Sequence, residues 1–330
     1  MILLRETITN LITQAKEMPN ALCSRIEICV SDNNSTDDTL KFLETLTYTS
    51  PIPLTFRRNS FNIGPELNYL KAVEMANGEF AWLLGSDDLI SKGGLQWVIQ
   101  FLEREKDNDI LVLNYKNYIS RGKKESEFNR DYKREEIVRF DTTIDAIKNV
   151  INEIGLISIL CFRRSLWNII DTPKEYFGYQ YIHVYKILRM IKNNASIVRI
   201  MEPVLVRHLS MNDSLQKNYG SLNRWLFDLN GFHTIIGGLY TEDSTENFEL
   251  NELILRKLFQ PVPVALIIMS LNFKDRFRFF LNFLKIYKRH WRFYAVILPV
   301  FIFSPGSHGK ILGLFIVQEL EIRLRSEQEE

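Results

Sequence analysis

Two adjacent carboxylates, Asp87 and Asp88, end the mainly apolar run GEFAWLLGSDD, which spans Gly78 to Asp88. Hard divalent cations such as Mg²⁺ and Mn²⁺ take oxygen ligands, and paired Asp side chains at a strand's end supply them. The same residues could instead do no more than cap a following helix. A second polar cluster, SDNNSTDDT at residues 31–39, ends the run Arg25–Val30. Its Ser, Thr, Asn and Asp side chains bond nearby amides and so start helices. Asp32, just past the strand end, stands where a nucleotide's base and ribose would be gripped. A third cluster, FNIGPELNYL at residues 61–70, puts Gly64 and Pro65 at the head of a helix between Asn62 and Asn68. A helix start carries unpaired amides that hold anions or polar ligands, and glycine allows a close backbone approach.

Elements must bring these clusters together. A helix is predicted over residues 1–18, with Ile2, Leu3, Ile8, Leu11, Ile12 and Ala15 near one face and Pro19 ending it. Strands are predicted at Arg25–Val30, Leu54–Arg57, Glu79–Leu84 and Ile110–Tyr115. The third is apolar at all but its first residue, as in a strand covered on both faces. Helices are predicted from the 31–39 cluster through Leu46, from Pro65 with Leu67, Leu70, Val73 and Ala76 buried, and from Leu89 to Leu102. Strands and helices alternating with short connections give a doubly wound, Rossmann-like parallel sheet with helices on both faces. Ligands bind at the carboxyl ends of such strands, where all three clusters fall. Residues 121–139 carry both signs of charge and read as a solvated insertion.

With 330 residues, 46% hydrophobic and 25% charged, the chain is globular and long enough for two domains, or for one with an appendage. A net charge of +1 decides nothing about nucleic acid, and no nucleic-acid partner is expected. Cys23, Cys29 and Cys161 have neither the number for a disulfide framework nor the spacing of a zinc site, which fits small buried side chains in a reducing compartment. No signal-peptide pattern opens the sequence, because Arg5 and Glu6 interrupt its apolar start. No run reaches the roughly 18 apolar residues of a spanning helix.

SDNNSTDDT and NIGPELNYLKAVEMANGEFAWLLGSDD, in that order and at that spacing, resemble the nucleotide-binding half of family 2 glycosyltransferases of the GT-A fold. They are most similar to the branch of abequosyltransferase-like enzymes of bacterial O-antigen synthesis. The resemblance covers residues 1–115 well and 155–215 more loosely. It implies a nucleotide-sugar-binding half at 1–115, an acceptor-binding half at 116–215 and a helical C-terminal region at 216–330. It further implies that Asp32 contacts the nucleotide base and that Asn33, Asn62, Gly64, Asn68 and Ser86 belong to the nucleotide-sugar pocket. The family's Asp-x-Asp motif falls on Gly85, Ser86 and Asp87. Gly85 replaces the first Asp, while Asp87 keeps the metal-ligand place and Asp88 shares it. The implied cofactor is Mn²⁺ or Mg²⁺, which stabilises the leaving nucleoside diphosphate. The implied reaction moves a sugar, with inversion, from a nucleotide-sugar to an oligosaccharide carried on polyprenyl diphosphate. The family also opens with an apolar strand and turn that are not found before Met1. If its register holds, a central strand is missing, through a misplaced start or a degraded copy. A non-catalytic protein that keeps the fold is the alternative reading.

Past an apolar strand region at Glu153–Arg164, the segment EYFGYQYIHVYKILRM, residues 175–190, starts with aromatics and continues as a helix. Related transferases carry their catalytic carboxylate near this point, often as Glu-Asp. Here no acidic residue stands between Gly178 and Arg189, which leaves His183, then Glu175, to take the acceptor's proton. A His among Tyr and Ile is also a common packed residue. Residues 195–214 read as two short strands around Pro203, ending at Arg207, His208, Asn212 and Ser214. Arg207 suits phosphate oxygens or a surface ion pair, and His208 a third metal ligand. Residues 272–292 hold seven Lys or Arg against one Asp, with Phe273, Phe277, Phe280, Leu281 and Leu284 at helical spacing. The uncharged stretch 293–303 follows. Such a basic amphipathic helix suits an anionic membrane surface, and the resemblance puts that surface at the cytoplasmic face; packing its Phe side on the protein is the other reading.

Overall fold

The computed structural model describes residues 2–121, 124–128, 137–151, 153–208, 214–258, 273–290 and 298. Its contacts divide the chain into two compact units, Met1–Met211 and Asn212–Glu330. The first opens with α1 (Ile2–Glu17), α2 (Asn20–Cys23), β1 (Ile28–Asp32), α3 (Thr39–Thr49), β2 (Leu54–Arg58), α4 (Pro65–Met75) and β3 (Phe80–Trp82). It continues with β4 (Asp88–Ile90), α5 (Gly94–Arg104), β5 (Ile110–Arg121), β6 (Lys124–Phe128), β7 (Ile137–Arg139) and α6 (Thr143–Val150). It ends with β8 (Leu160–Arg163), α7 (Arg164–Asn168), α8 (Ile182–Lys192) and β9 (Ile197–His208).

The single parallel sheet expected from the sequence is replaced by two sheets. β1 and β2 pair in parallel, from Ile28 opposite Leu54 to Asp32 opposite Arg58. The other strands form a mixed seven-stranded sheet in the path β3-β8-β5-β9-β4, with β6 on β5 and β7 on β9. Among the described residues no ladder joins β1 to β3. Their starts are tied instead by the Glu27 carboxylate, which accepts from the amides of Asn77 (2.5 Å) and Gly78 (2.8 Å).

Two predicted boundaries move for one reason. β3 stops at Trp82, the chain turns at Ser86 and Asp87, and it re-enters the sheet as β4. Leu89 and Ile90 sit opposite Val206 and Leu205 in an antiparallel ladder, so they are strand residues and not the first turn of a helix. α5 therefore starts at Gly94, after the left-handed Gly93 (φ +77°). β9 is one long strand where two short ones were predicted. Pro203, which has no N–H to give the ladder, falls where the β5–β9 register shifts opposite Asn114. β5 runs through residue 115, so residues on both sides of that position share one strand. The charged stretch 121–139 supplies β6 and β7.

The core lies on β5, whose residues Ile110 to Leu113 form an unbroken buried apolar run, as a strand covered on both faces requires. Ile147 and Val150 of α6, Ile187 and Leu188 of α8, and Phe162 of β8 stacked at 4.3 Å on Trp167 complete it. Each such side chain contributes about 1.5–3 kcal/mol when fully buried. Of the cysteines only Cys161 is buried, and burial pushes its thiol up to about 12; Cys23 and Cys29 are half-buried. The buried face of α1 is Thr7, Ile8, Ile12, Gln14 and Ala15, whereas Ile2 and Leu3 are exposed, contrary to the predicted apolar face.

The second unit contains α9 (Ser214–Leu239), α10 (Thr245–Leu258) and α11 (Phe273–Tyr287). On α11 the buried residues are Phe279, Phe283, Ile286 and Tyr287. Phe277 and Leu281, on the apolar side read as suiting either a membrane surface or packing on the protein, are 53% and 47% exposed. They stand beside the exposed Lys274, Arg278, Lys285 and Lys288. The Phe273 side chain, residues 209–213 with Asn212, and the stretch 293–303 apart from Leu298 lie outside the described residues. No helix among the described residues is long and apolar enough to cross a membrane.

Candidate functional site

β4 ends the path of the large sheet, and polar side chains of α1 cover its outer edge. Thr7 Oγ1 lies 3.0 Å from the carbonyl oxygens of both Ser86 and Asp88. Asn10 donates from Nδ2 to the Ile90 carbonyl (3.1 Å) and accepts the Ile90 amide on Oδ1 (3.0 Å). Gln14 Nε2 donates to the same carbonyl at 2.9 Å, and its Oε1 accepts from Leu95 N at 3.3 Å. Steps of three and four put these residues in one row along a helix. That row holds the Ser86–Asp87 turn from behind.

In the turn Ser86 and Asp87 are exposed and Asp88 is buried. Ser158 Oγ donates to Asp88 Oδ2 and accepts from Gly85 N at 2.9 Å. A Cβ placed on Gly85 would meet Asp87 Oδ1 at 3.0 Å, Asp88 Oδ2 at 3.2 Å and Ser158 Oγ at 3.2 Å. Two carboxylate oxygens and a hydroxyl thus crowd the place where a side chain at residue 85 would begin. The exposed Asp87 carboxylate is the kind of oxygen ligand that Mg²⁺-like ions take, with one or two carboxylates and the rest from water and phosphate, whereas Asp88 Oδ2 is already bonded by Ser158. Among the described residues no group of three or more His, Cys, Asp or Glu gathers as a metal cage. The β4–β9 ladder sets Arg207 opposite Asp88, with His208 next along β9. The side chains of Arg207 and His208 lie outside the described residues.

The polar clusters 31–39 and 61–70 close on one another at the ends of β1 and β2. Asp32 is buried, and its carboxylate accepts from Ser35 N (3.2 and 3.3 Å) and Ser35 Oγ, with Arg58 Nε 3.5 Å away. It therefore fixes its own turn. Asn33 Nδ2 donates to Asn62 Oδ1 (2.8 Å), and Asn33 Oδ1 accepts from Ile63 N (2.9 Å) and Asn59 Nδ2 (3.3 Å). Asn59 Nδ2 also donates to Asn68 Oδ1 (3.0 Å), which Ser31 Oγ reaches at 2.7 Å. Gly64 N gives its hydrogen to Asn62 Oδ1 at 2.9 Å. Gly64 has φ +82° and open space around it, so the backbone, not crowding, demands glycine there. Asn33, Asn62, Gly64 and Asn68 are thus brought together in one hydrogen-bonded network. Asn59 links two of them, and its only sequence signal was its place just past β2.

α4 joins the two clusters. Asn68 belongs to the asparagine network, and for the next residue, Tyr69, burial and then the charges of Asp87 and Glu66 push the phenol up. The Tyr69 ring lies edge-on to His183 at 5.7 Å. His183 is 1% exposed. Its Nε2 lies 3.2 Å from the Gly155 carbonyl and so carries the proton, since a carbonyl only accepts. Burial pulls its pKa down to about 4, which keeps the imidazole neutral, and Nδ1 is buried without a hydrogen bond. The predicted base is therefore a packed ring that is not presented to solvent. Glu175, in the short 3-10 turn Lys174–Tyr176, is exposed.

Residues 3–168, half of the chain, match the glycosyl transferase family 2. The chain belongs to this family. Over 244 residues it is 25% identical to the abequosyltransferase RfbV of Salmonella typhimurium, a match covering 70% of this chain and 71% of that one. Over 85 residues it is 32% identical to the Campylobacter jejuni GalNAc(5)-diNAcBac-PP-undecaprenol beta-1,3-glucosyltransferase, covering 26% and 28% of the two chains. Crystal structures of S. aureus TarS 1-349 are 17% identical to it. The TM-score is 0.64 for one, over 97% of this chain and 87% of that, and 0.67 for the complex with UDP-GlcNAc, over 97% and 88%. The fold is accordingly the α/β GT-A-like one, and the protein is a glycosyltransferase of family 2.

Proposed function

We propose that the protein moves a sugar from a nucleotide-sugar donor to a lipid-linked oligosaccharide in bacterial O-antigen or related polysaccharide synthesis, with inversion and with the help of Mn²⁺ or Mg²⁺. The observation that carries this reading is the convergence of Asp87 and Asp88 over Gly85, one helix away from the asparagine network. Asp87 and Asp88 hold the cation, and His208 is the further ligand proposed. The cation supplies positive charge against the departing diphosphate. Asn33, Asn62, Gly64, Asn68 and Ser86 line the donor pocket, Asp32 sets the turn beside the base, and Arg207 meets a phosphate.

The acceptor oxygen forms its bond to the anomeric carbon as the bond from that carbon to the phosphate oxygen breaks. The bonding pair leaves with the diphosphate, and the acceptor's proton goes to a general base. Attack opposite the leaving group inverts the carbon. The exposed Glu175 carboxylate suits the base better than the buried His183. The lipid-linked acceptor is proposed from the printed name of the Campylobacter relative. The exposed side of α11, with Phe277 and Leu281 among Lys274, Arg278, Lys285 and Lys288, suits an anionic bilayer at the cytoplasmic face.

The test is release of nucleoside diphosphate from a panel of nucleotide-sugars, with and without Mn²⁺, in the presence of bacterial lipid-linked oligosaccharide. Turnover of one donor that needs both the metal and Asp87 supports the reading. Metal-dependent nucleotide binding without any turnover would select the non-catalytic alternative, which Gly85 in the place of the first motif Asp favours.

A further inference from the structure

Glu66 has no part in the contacts of the donor pocket. It is the second residue of α4, yet its side chain turns inward and is 6% exposed. Its Oε2 accepts from Gly178 N at 2.6 Å, and the amides of Tyr179, Gln180 and Tyr181 also favour its charged form. Gly178 (φ +95°) and Gln180 (φ +60°) are both left-handed. Backbone with residues of this kind bends successive amides to one side and makes a concavity for an anion. The turn runs directly into α8, whose N-cap, Tyr181, makes no side-chain cap bond and whose first turn has no acidic residue. A carboxylate at a helix start is favourable, and α8 receives one from another helix.

We propose that Glu66 is a positioning residue of the transfer site: by capping α8 from α4 it clamps the Gly178–Tyr181 turn to the donor-binding helix. The clamp fixes the turn that follows Glu175, the carboxylate proposed as the base, relative to Asn68 and Tyr69 on α4. Its role in transfer rests on the transferase reading; the clamp itself does not. A residue kept only for stability would look different. Burial is the largest influence on the Glu66 carboxyl and raises its pKa in spite of the four amides. A buried acid whose pKa is raised favours the fold below its ordinary pKa and loses that contribution as pH rises through the raised value, so at neutral pH the charge is a burden. Oε1 is buried and makes no hydrogen bond, which adds to that burden.

The experiment compares the full-length protein with Glu66→Gln and Glu66→Ala at pH 7.5. Three quantities are followed: the melting temperature, the hydrogen exchange of amides 178–181, and steady-state transfer. Glu66→Gln is expected to melt no earlier than the parent, while exchange of the Gly178 and Gln180 amides quickens by about ten-fold, and by more in Glu66→Ala. Its kcat is expected to fall about ten-fold with the donor KM within about three-fold, because orientation is lost and binding is not. Unchanged exchange at 178–181 would overturn the clamp. Loss of melting temperature and kcat in parallel in Glu66→Gln would reduce Glu66 to a structural residue and overturn the positioning role. If the parent turns over no nucleotide-sugar, the transferase reading fails by itself, and the exchange data still decide the clamp.

Discussion

His183 ties the stability of the first unit to pH in a way that can be worked out. The ring is fully buried among Tyr69 and Tyr181, and burial lowers its pKa from 6.5 to about 4. In the unfolded chain the imidazole takes up a proton near pH 6.5, whereas the folded chain resists until about pH 4. Between those values the unfolded state binds more protons, so stability falls as the pH drops, and above 6.5 this group contributes no slope. Over the whole window the effect is about 3 kcal/mol, from about 1.4 kcal/mol per pH unit. Replacing the ring by an amide that can still donate to the Gly155 carbonyl, His183→Gln, removes the titration and keeps the hydrogen bond. Urea unfolding of both proteins at pH 7.5, 6, 5 and 4.5 should show the parent losing stability faster than the variant, with the difference growing below pH 6.5. Parallel curves would refute the reasoning, and would mean that the ring is hydrated or paired in the folded protein.

Three further substitutions probe the site's construction. Thr7→Val keeps the shape but takes the hydroxyl from the Ser86 and Asp88 carbonyls; it should cost about 1–2 kcal/mol in chemical unfolding and weaken Mn²⁺-dependent nucleotide binding measured by calorimetry. Gly85→Ala puts a methyl 3.0 Å from Asp87 Oδ1 and 3.2 Å from Asp88 Oδ2; the carboxylates must move apart, and metal-dependent binding should fall about ten-fold for a stability change of about 1 kcal/mol. Asn59→Ala cuts the link between Asn33 and Asn68, and should lower stability by about 1–2 kcal/mol and loosen the nucleotide with or without metal.

The order of strands and clusters was legible in the sequence because each cluster follows a short β-branched or apolar run, and that pattern is local. What failed was set by partners far away in the chain. Thr7, Asn10 and Gln14 look like ordinary surface residues of an amphipathic helix, and only the edge of β4, about eighty positions on, makes them buried hydrogen-bonding groups. Leu89 and Ile90 carry a helical pattern into α5, but the β9 ladder claims them first. On α11 the packed residues Phe279, Phe283 and Tyr287 were not picked out, while Phe277 and Leu281 stay outward, as one of the two readings of their side requires. For His183 the local Tyr and Ile neighbours already allow a packed ring beside the base reading, and the structure gives the packed one, with Tyr69 of α4 against it. Glu66 was invisible for the same reason: in sequence it is a solvent-facing Glu in a first turn, and its partner is a backbone amide 112 positions away.

The central claim is that Asp87 and Asp88 hold a divalent cation that in turn holds the donor's diphosphate. Calorimetric titration of CDP, UDP, GDP and dTDP into the protein and its Asp87→Asn variant, with and without Mn²⁺, tests it most directly. One nucleotide is expected to bind, only with Mn²⁺ present, and Asp87→Asn to abolish that binding. Equally tight binding by the variant, or binding indifferent to Mn²⁺, would contradict it.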